Sequence, residues 1–379
     1  MLKNILSFLT FSLLLITAVN GQNVNGSIEH DGNTRDYILH LPSGYDPTGS
    51  YPFVYNLHGY GSNAFQEQFY TGMDGTADAN GFIVCYPNGL QNSWNVGFGG
   101  TSSADDTDFL VTLADTLIAN YAINPNRLYS CGMSNGGFMS YKLACEASDR
   151  FAAIASVTGS MVPGTLAACN PENLTPVMQL HGTDDQTVQY DGTPNVSIPI
   201  EDLIEFWREK NSCENMPDTI QIENTDTADG STAIRIEYTD CPESAEVVFY
   251  KIDGGGHTWP DAVLDIGSTN RDFNANDVIW EFFNRYDLDG EIVSHNENIV
   301  QVTDILLYPN PVRDAFTLEN LPPDTEKITI FDAYGKAVKS VRQIPDTGLT
   351  VTVADLPKGI YFVTTQGKNT RGTVRFVKY

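Results

Sequence analysis

Basic residues are scarce in this sequence. Only 21 Lys and Arg stand against 48 Asp and Glu, a formal net charge of −27. Such a surface repels phosphate backbones and anionic lipid, so nucleic acid is excluded as a natural partner. Long apolar runs are also missing after the first twenty residues, so no later segment is expected to cross a membrane. No two cysteines are spaced Cys-x-x-Cys and no His-Glu-x-x-His occurs, which ranks a zinc site low. No internal repeat is visible. What is present is the composition of a globular protein, 41% hydrophobic and 11% aromatic.

At 379 residues the chain is long for one domain, and two are expected. Lys3 followed by the apolar run Ile5 to Val19 and by Val19-Asn20-Gly21 reads as a signal peptide over residues 1–21, removed on export. Charge is uneven beyond it. Residues 303–379 carry a net +2 and residues 1–302 a net −29, which marks a boundary near residue 300. Export permits disulfides. Cys145–Cys169 and Cys213–Cys241 are the expected pairs, because each brackets one local excursion.

From about residue 26 to 290 short apolar runs alternate with helical patterns. Pro52 to Leu57, Phe82 to Tyr86, Arg127 to Cys131, Phe151 to Val157, Val177 to Leu180 and Val247 to Ile252 read as buried strands. Phe109, Leu113, Leu117 and Tyr121 form a helical stripe that Asn124-Pro125 ends. Leu203 to Arg208 and Asp277 to Phe283 also read as helical. The alternation predicts an α/β domain, a mostly parallel sheet with helices on both faces. Ser27 to His30 and Thr34 to Leu41, joined at Asp31-Gly32, predict an edge hairpin of that sheet. Residues 291–302 are polar and unpatterned and are expected to be a linker. Beyond them Phe316 to Leu318, Lys327 to Phe331, Leu349 to Val353, Ile360 to Thr364 and Thr373 to Val377 predict a small all-β sandwich.

Four segments carry the chemistry. Gly132-Met133-Ser134-Asn135-Gly136 lies between a predicted strand and a predicted helix, so Ser134 is the candidate nucleophile on a tight turn. A serine hydroxyl needs a base. Of the six histidines, His257 is favoured, in the loop Gly254-Gly255-Gly256-His257-Thr258-Trp259-Pro260 after a strand. The base needs an acid, and Asp184 and Asp185 in His181-Gly182-Thr183-Asp184-Asp185 are both candidates. His58-Gly59-Tyr60-Gly61 is the fourth segment. The main-chain N–H groups of Tyr60 and Asn135 are the expected oxyanion hole, and His58 is expected to be structural. All four segments follow the C-terminal ends of predicted strands, where open α/β sheets bind ligands.

Residues Ser27 to Asp287 resemble the polyhydroxybutyrate depolymerase-like secreted esterases, close to the feruloyl and acetylxylan esterases of carbohydrate esterase family 1. The carriers are Thr34-Arg35-Asp36-Tyr37, Leu57-His58-Gly59, Cys131 to Gly137, Leu143-Ala144-Cys145, His181 to Asp185 and Gly256 to Pro260. The resemblance implies an α/β-hydrolase domain over 22–290 and hydrolysis of cell-wall sugar esters or hydroxyalkanoate esters, without a cofactor. It also selects Asp185 as the acid. Leu307 to Pro311, Leu356 to Phe362 and the basic end Arg375 to Tyr379 are similar to a type IX secretion sorting domain over 303–379. That implies passage through the periplasm to the cell surface or beyond, with the secretion machinery as partner. A carbohydrate-binding sandwich is the alternative there.

The expected function is therefore a secreted serine esterase, with feruloyl or acetyl esters on xylan as substrate. Polyhydroxybutyrate hydrolysis is the alternative; a serine peptidase and a non-catalytic surface-binding protein are the readings from other classes. Trp94 and Trp259 are candidate substrate-binding residues, since aromatic faces stack on sugar or feruloyl rings; core packing is the competing role. Asp105-Asp106-Thr107-Asp108 is expected to open a helix, and Asp287-Leu288-Asp289-Gly290 is assigned to the linker.

Overall fold

The computed structural model describes residues 21–379 except 215, 243–244, 292–299, 303–304, 322–324, 333–336, 342–348, 355 and 368–369. The expected signal peptide, apart from Gly21, and most of the expected linker lie outside the described residues. The chain divides into two compact units, 1–292 and 293–379.

The first unit opens with the hairpin β1 (Gln22–His30) and β2 (Asn33–Leu41). Then come β3 (Tyr51–Leu57), α1 (Ala64–Thr71), α2 (Met73–Asn80) and β4 (Ile83–Pro87). They are followed by α3 (Asp106–Asn120), β5 (Ile123–Met133), α4 (Asn135–Glu146), β6 (Ala153–Val157) and α5 (Pro163–Ala168). Next are β7 (Val177–Gly182), α6 (Ile200–Lys210), β8 (Asp218–Gln221), β9 (Thr232–Tyr238), β10 (Val247–Asp253) and α7 (Ala275–Phe283). Ten strands form one sheet in the order β1-β2-β4-β3-β5-β6-β7-β10-β9-β8. The run from β4 to β10 is parallel, and an antiparallel pair closes each edge.

Both faces of the parallel run are covered, which explains its near-continuous apolar sequence. Alternate residues serve opposite layers. Val54, Tyr86 and Tyr129 meet α1, α2 and α7, whereas Phe53, Tyr55 and Leu128 meet α3 and α4. A third cluster joins α4 and α6, with Tyr141 stacked on Trp207. Both expected disulfides are formed, Cys145–Cys169 and Cys213–Cys241. Cys85 and Cys131 are buried free thiols.

The acidic run does open a helix: Asp105 caps α3 by accepting from the Asp108 N–H. Asp106 turns inward instead and pairs with buried Arg35 at 2.7 Å. Three expectations need correction. The α3 stripe ends at Asn120, and Asn124-Pro125 already belongs to β5, because Tyr121 leaves the helix in an extended conformation. Asp287 to Gly290 is no linker. It is the turn of a small hairpin, β11 (Tyr286–Asp287) and β12 (Gly290–Glu291), held to the first unit by Leu288 N–H donating to Asn126 and Tyr129 hydroxyl donating to Tyr286. Strands β8 and β9 extend the sheet where none was expected.

The second unit has two sheets. One contains β13 (Val300–Val302), β16 (Thr325–Asp332), β17 (Ala337–Val341), β19 (Gly359–Gly367) and β20 (Thr370–Lys378). The other contains β14 (Leu306–Tyr308), β15 (Ala315–Glu319) and β18 (Leu349–Thr352). Phe316, Leu318 and Val351 of the smaller sheet share a core with Ile328, Ile330, Val363 and Phe376 of the larger, so the unit is a β-sandwich.

Candidate active site

Strand β5 ends at Met133 and α4 begins at Asn135, leaving Ser134 alone at the turn. Its backbone has φ 54° and ψ −119°, a strained conformation for a residue with a side chain. The strain is held from outside: Ser134 N–H donates to Val157 O at 2.8 Å. Gly136 then passes so close to β3 that a Cβ there would stand 1.9 Å from Leu57 O. The side chain of Ser134 is partly exposed, at the N-terminus of α4, where N–H groups lack helical partners.

Two loops from neighbouring strands bring in the candidate acid and the candidate base. Asp185 follows β7 and His257 follows β10; the sheet order places both beyond β6 from Ser134, at the same C-terminal edge. His257 Nδ1 lies 2.7 Å from Asp185 Oδ2. Asp185 is 2% exposed, and its Oδ1 accepts from the Thr187 and Val188 N–H groups. Asp184, its neighbour, faces solvent. The two loops touch through backbone: a Cβ on Gly182 would stand 2.1 Å from Gly255 O. Among the described residues the Ser134 hydroxyl has no hydrogen-bond partner, so the structure joins Asp185 to His257 but not His257 to Ser134.

The other described histidines are committed elsewhere. His58 Nδ1 donates to Gly59 O at 2.8 Å and its Nε2 accepts from Gly89 N–H at 3.0 Å. Burial pushes this imidazole down to about 4, so it is neutral and has no lone pair left for base chemistry. His181 stands behind the acid. Its Nδ1 accepts from the Gln179 amide and its Nε2 donates to Val188 O, 3.4 Å from Asp185 Oδ2. Burial pushes it down to about 4 as well. His30 is bonded to Asp108, and His40 to Asn23 and Asp78. His295 lies outside the described residues.

The loop expected to receive the oxyanion sits beside Ser134, since a Cβ on Gly59 would stand 3.5 Å from Ser134 Cβ. The Tyr60 side chain points outward, 63% exposed, with its hydroxyl donating to Gly100 O. Asn135 is buried, and its amide exchanges two bonds with the Trp94 backbone.

Both tryptophans expected in the substrate cleft are core residues, each 0% exposed. Trp94 stacks beside His58 and donates its indole N–H to His58 O at 2.9 Å. Trp259 donates its indole to Asn276, while its N–H bonds the Tyr70 hydroxyl at 3.1 Å. Neither presents a face to a substrate, because each polar edge is used to fix a loop of the site. Arg35 was missed as a site support. It pairs with Asp106, which in turn accepts the Asn95 N–H and so anchors the Trp94 loop. Among the described residues no cluster of three or more His, Cys, Asp or Glu is placed to hold a metal ion.

A mostly parallel sheet that carries a strained serine at a strand-to-helix turn, with an aspartate–histidine pair at the same edge, has the architecture of an α/β-hydrolase. Residues 31–262 match the Esterase family, and the chain belongs to it. It is a serine ester hydrolase. Residues 306–379 match the secretion system C-terminal sorting domain. Feruloyl esterase C of Emericella nidulans is 27% identical over 275 residues, covering 70% of this chain and 87% of that protein. Feruloyl esterase D of Neurospora crassa is 26% identical over 286 residues, covering 71% and 88%. The acetyl xylan esterase from Aspergillus awamori shares the fold, with a TM-score of 0.50 at 16% identity over 70% of this chain and 98% of that one. Among the described residues no helix is long and apolar enough to cross a membrane.

Proposed function

We propose that this protein is a secreted esterase that removes feruloyl or acetyl groups from plant cell-wall polysaccharide. In this reading Ser134 Oγ attacks the ester carbonyl and His257 Nε2 takes its proton. Asp185 holds His257 through Nδ1 and stabilises the imidazolium. The Asn135 and Tyr60 N–H groups receive the oxyanion. The tetrahedral intermediate collapses, His257 returns the proton to the leaving sugar hydroxyl, and water then releases the acid from Ser134 by the same route. The observation that carries the reading is the 2.7 Å contact between His257 Nδ1 and buried Asp185, on the edge where Ser134 stands strained. The relatives named above supply the substrate class.

Residues 1–21 direct export to the periplasm, and residues 303–379 direct passage onward to the cell surface or medium. Residues 22–290 carry the esterase. The test offers the purified mature chain methyl ferulate, acetylated xylan and a hydroxybutyrate oligomer, with Ser134→Ala as control. A preference for the first two that vanishes in the variant supports the reading. Hydroxybutyrate preference overturns the substrate, and activity retained by the variant overturns the nucleophile.

A further inference from the structure

One buried acid has no part in the mechanism above. Glu67 lies on α1 and is 3% exposed. No ion pair reaches it among the described residues. Its Oε1 is buried without a hydrogen-bond partner. The backbone N–H of Gly59 lies close enough to the same carboxyl to pull its pKa down. Gly59 is also the residue that lies against Ser134. It is therefore the shared neighbour of an unexplained buried acid and the nucleophile. A buried carboxyl with no cation is costly, whereas an apolar side chain at this inward position of α1 would be cheap.

We propose that Glu67 is a positioning residue of the esterase site: it holds Gly59 and thereby sets the loop whose Tyr60 N–H receives the oxyanion. The inference rests on the serine-esterase reading above. Three other polar groups of the loop are already engaged. His58 O accepts from Trp94, Gly59 O accepts from His58, and Gly61 N–H donates to Asn92. Glu67 supplies the anchor for the remaining Gly59 N–H.

Burial pushes the Glu67 carboxyl up to about 8, against the pull of the Gly59 N–H. At neutral pH it keeps its proton and still offers a carbonyl oxygen to Gly59. The titratable groups facing it are Tyr70 on the same helix, Tyr86 on β4 and Cys131 on β5. Burial raises all three, so all are uncharged at neutral pH and none balances a carboxylate. Above about pH 8 Glu67 ionises with no cation to receive the charge, and the loop must move or admit water. Loss of kcat on the alkaline side follows, with KM less affected, because the oxyanion contact matters most in the transition state.

The experiment measures kcat and KM for p-nitrophenyl acetate across the pH range, on the full mature chain and on Glu67→Gln, Glu67→Leu and Ser134→Ala. Glu67→Gln keeps an acceptor that cannot ionise. It is expected to rescue neutral-pH kcat to within about threefold of wild type and to abolish the alkaline limb. Glu67→Leu removes the acceptor and is expected to lower kcat about tenfold with KM within about twofold. An unaltered alkaline limb in Glu67→Gln, or wild-type kcat in a folded Glu67→Leu, overturns the proposal. If Glu67→Leu does not fold, the Glu67→Gln profile decides alone. Activity in Ser134→Ala would instead sink Ser134 as the nucleophile and the site built on it, whereas an inactive Ser134→Ala beside unaffected Glu67 variants would sink only the role of Glu67.

Discussion

The indole N–H of Trp94 donates to the carbonyl of His58 at 2.9 Å, and the Trp94 backbone is gripped by the Asn135 amide. One tryptophan thus couples the residue that opens the proposed oxyanion loop to the residue that follows the proposed nucleophile. Trp94→Phe keeps a ring but loses the donor. One buried hydrogen bond contributes about 1–2 kcal/mol, so kcat on an aryl acetate should fall about tenfold with KM little changed. A parallel change in KM alone would show that Trp94 acts on substrate binding instead.

Asp184 and Asp185 are adjacent in sequence and opposite in setting. Asp185 is buried on His257, and Asp184 faces solvent. Asp185→Asn should lower kcat about 10³- to 10⁴-fold, because the amide no longer holds the imidazole tautomer. Asp184→Asn should leave kcat within about threefold, as an exposed surface change usually does. Steady-state kinetics on both variants decides the pair.

Much of this was legible in the chain, and the exceptions have physical causes. The parallel strands announce themselves because both faces are buried, and the two disulfides because each pair brackets one excursion. Helix α1 does not, because its apolar pattern is inverted: Phe65 and Phe69 are exposed while Glu67 and Thr71 are buried. Strand β8 is exposed throughout, so it lacks alternation. Ser134 and His257 stood out by glycine-rich contexts that close approach requires. The tryptophans misled because an aromatic residue near a motif looks the same in sequence whether it meets a substrate or supports a loop. Arg35 and Asp106, 71 residues apart, form a pair that only the fold brings together.

Gly136→Ala should be lost as soluble protein. Its methyl would stand 1.9 Å from Leu57 O, and neither the first turn of α4 nor the end of β3 is free to retreat. Gly75→Ala is the control, since a Cβ on this glycine of α2 meets nothing within 4 Å. It should raise stability by about 0.5–1 kcal/mol, read by chemical denaturation.

His58 and His181 make the fold acid-sensitive. Each is pushed by burial from an ordinary 6.5 to about 4. A depressed pKa means that the folded state takes up its proton later than the unfolded state. The associated stability is whole above about pH 6.5 and is lost as pH falls through about 4. The loss is on the order of 3 kcal/mol for each imidazole. Urea unfolding at a series of pH values should show this decline, with a shallower slope in His181→Gln. Equal slopes in the two proteins would remove His181 as a cause.

The tight passage of Gly136 beneath Leu57 also bears on how such an esterase diversifies. At the centre, between β3 and the nucleophile turn, even one methyl group is excluded, so descent has no freedom there. Freedom lies at the rim. Gly99 faces open space, and Val263, Leu264 and Ile266 stand out into solvent. Lineages that inherit this reaction centre unchanged are left to explore new acyl groups and new polymers through those outer segments.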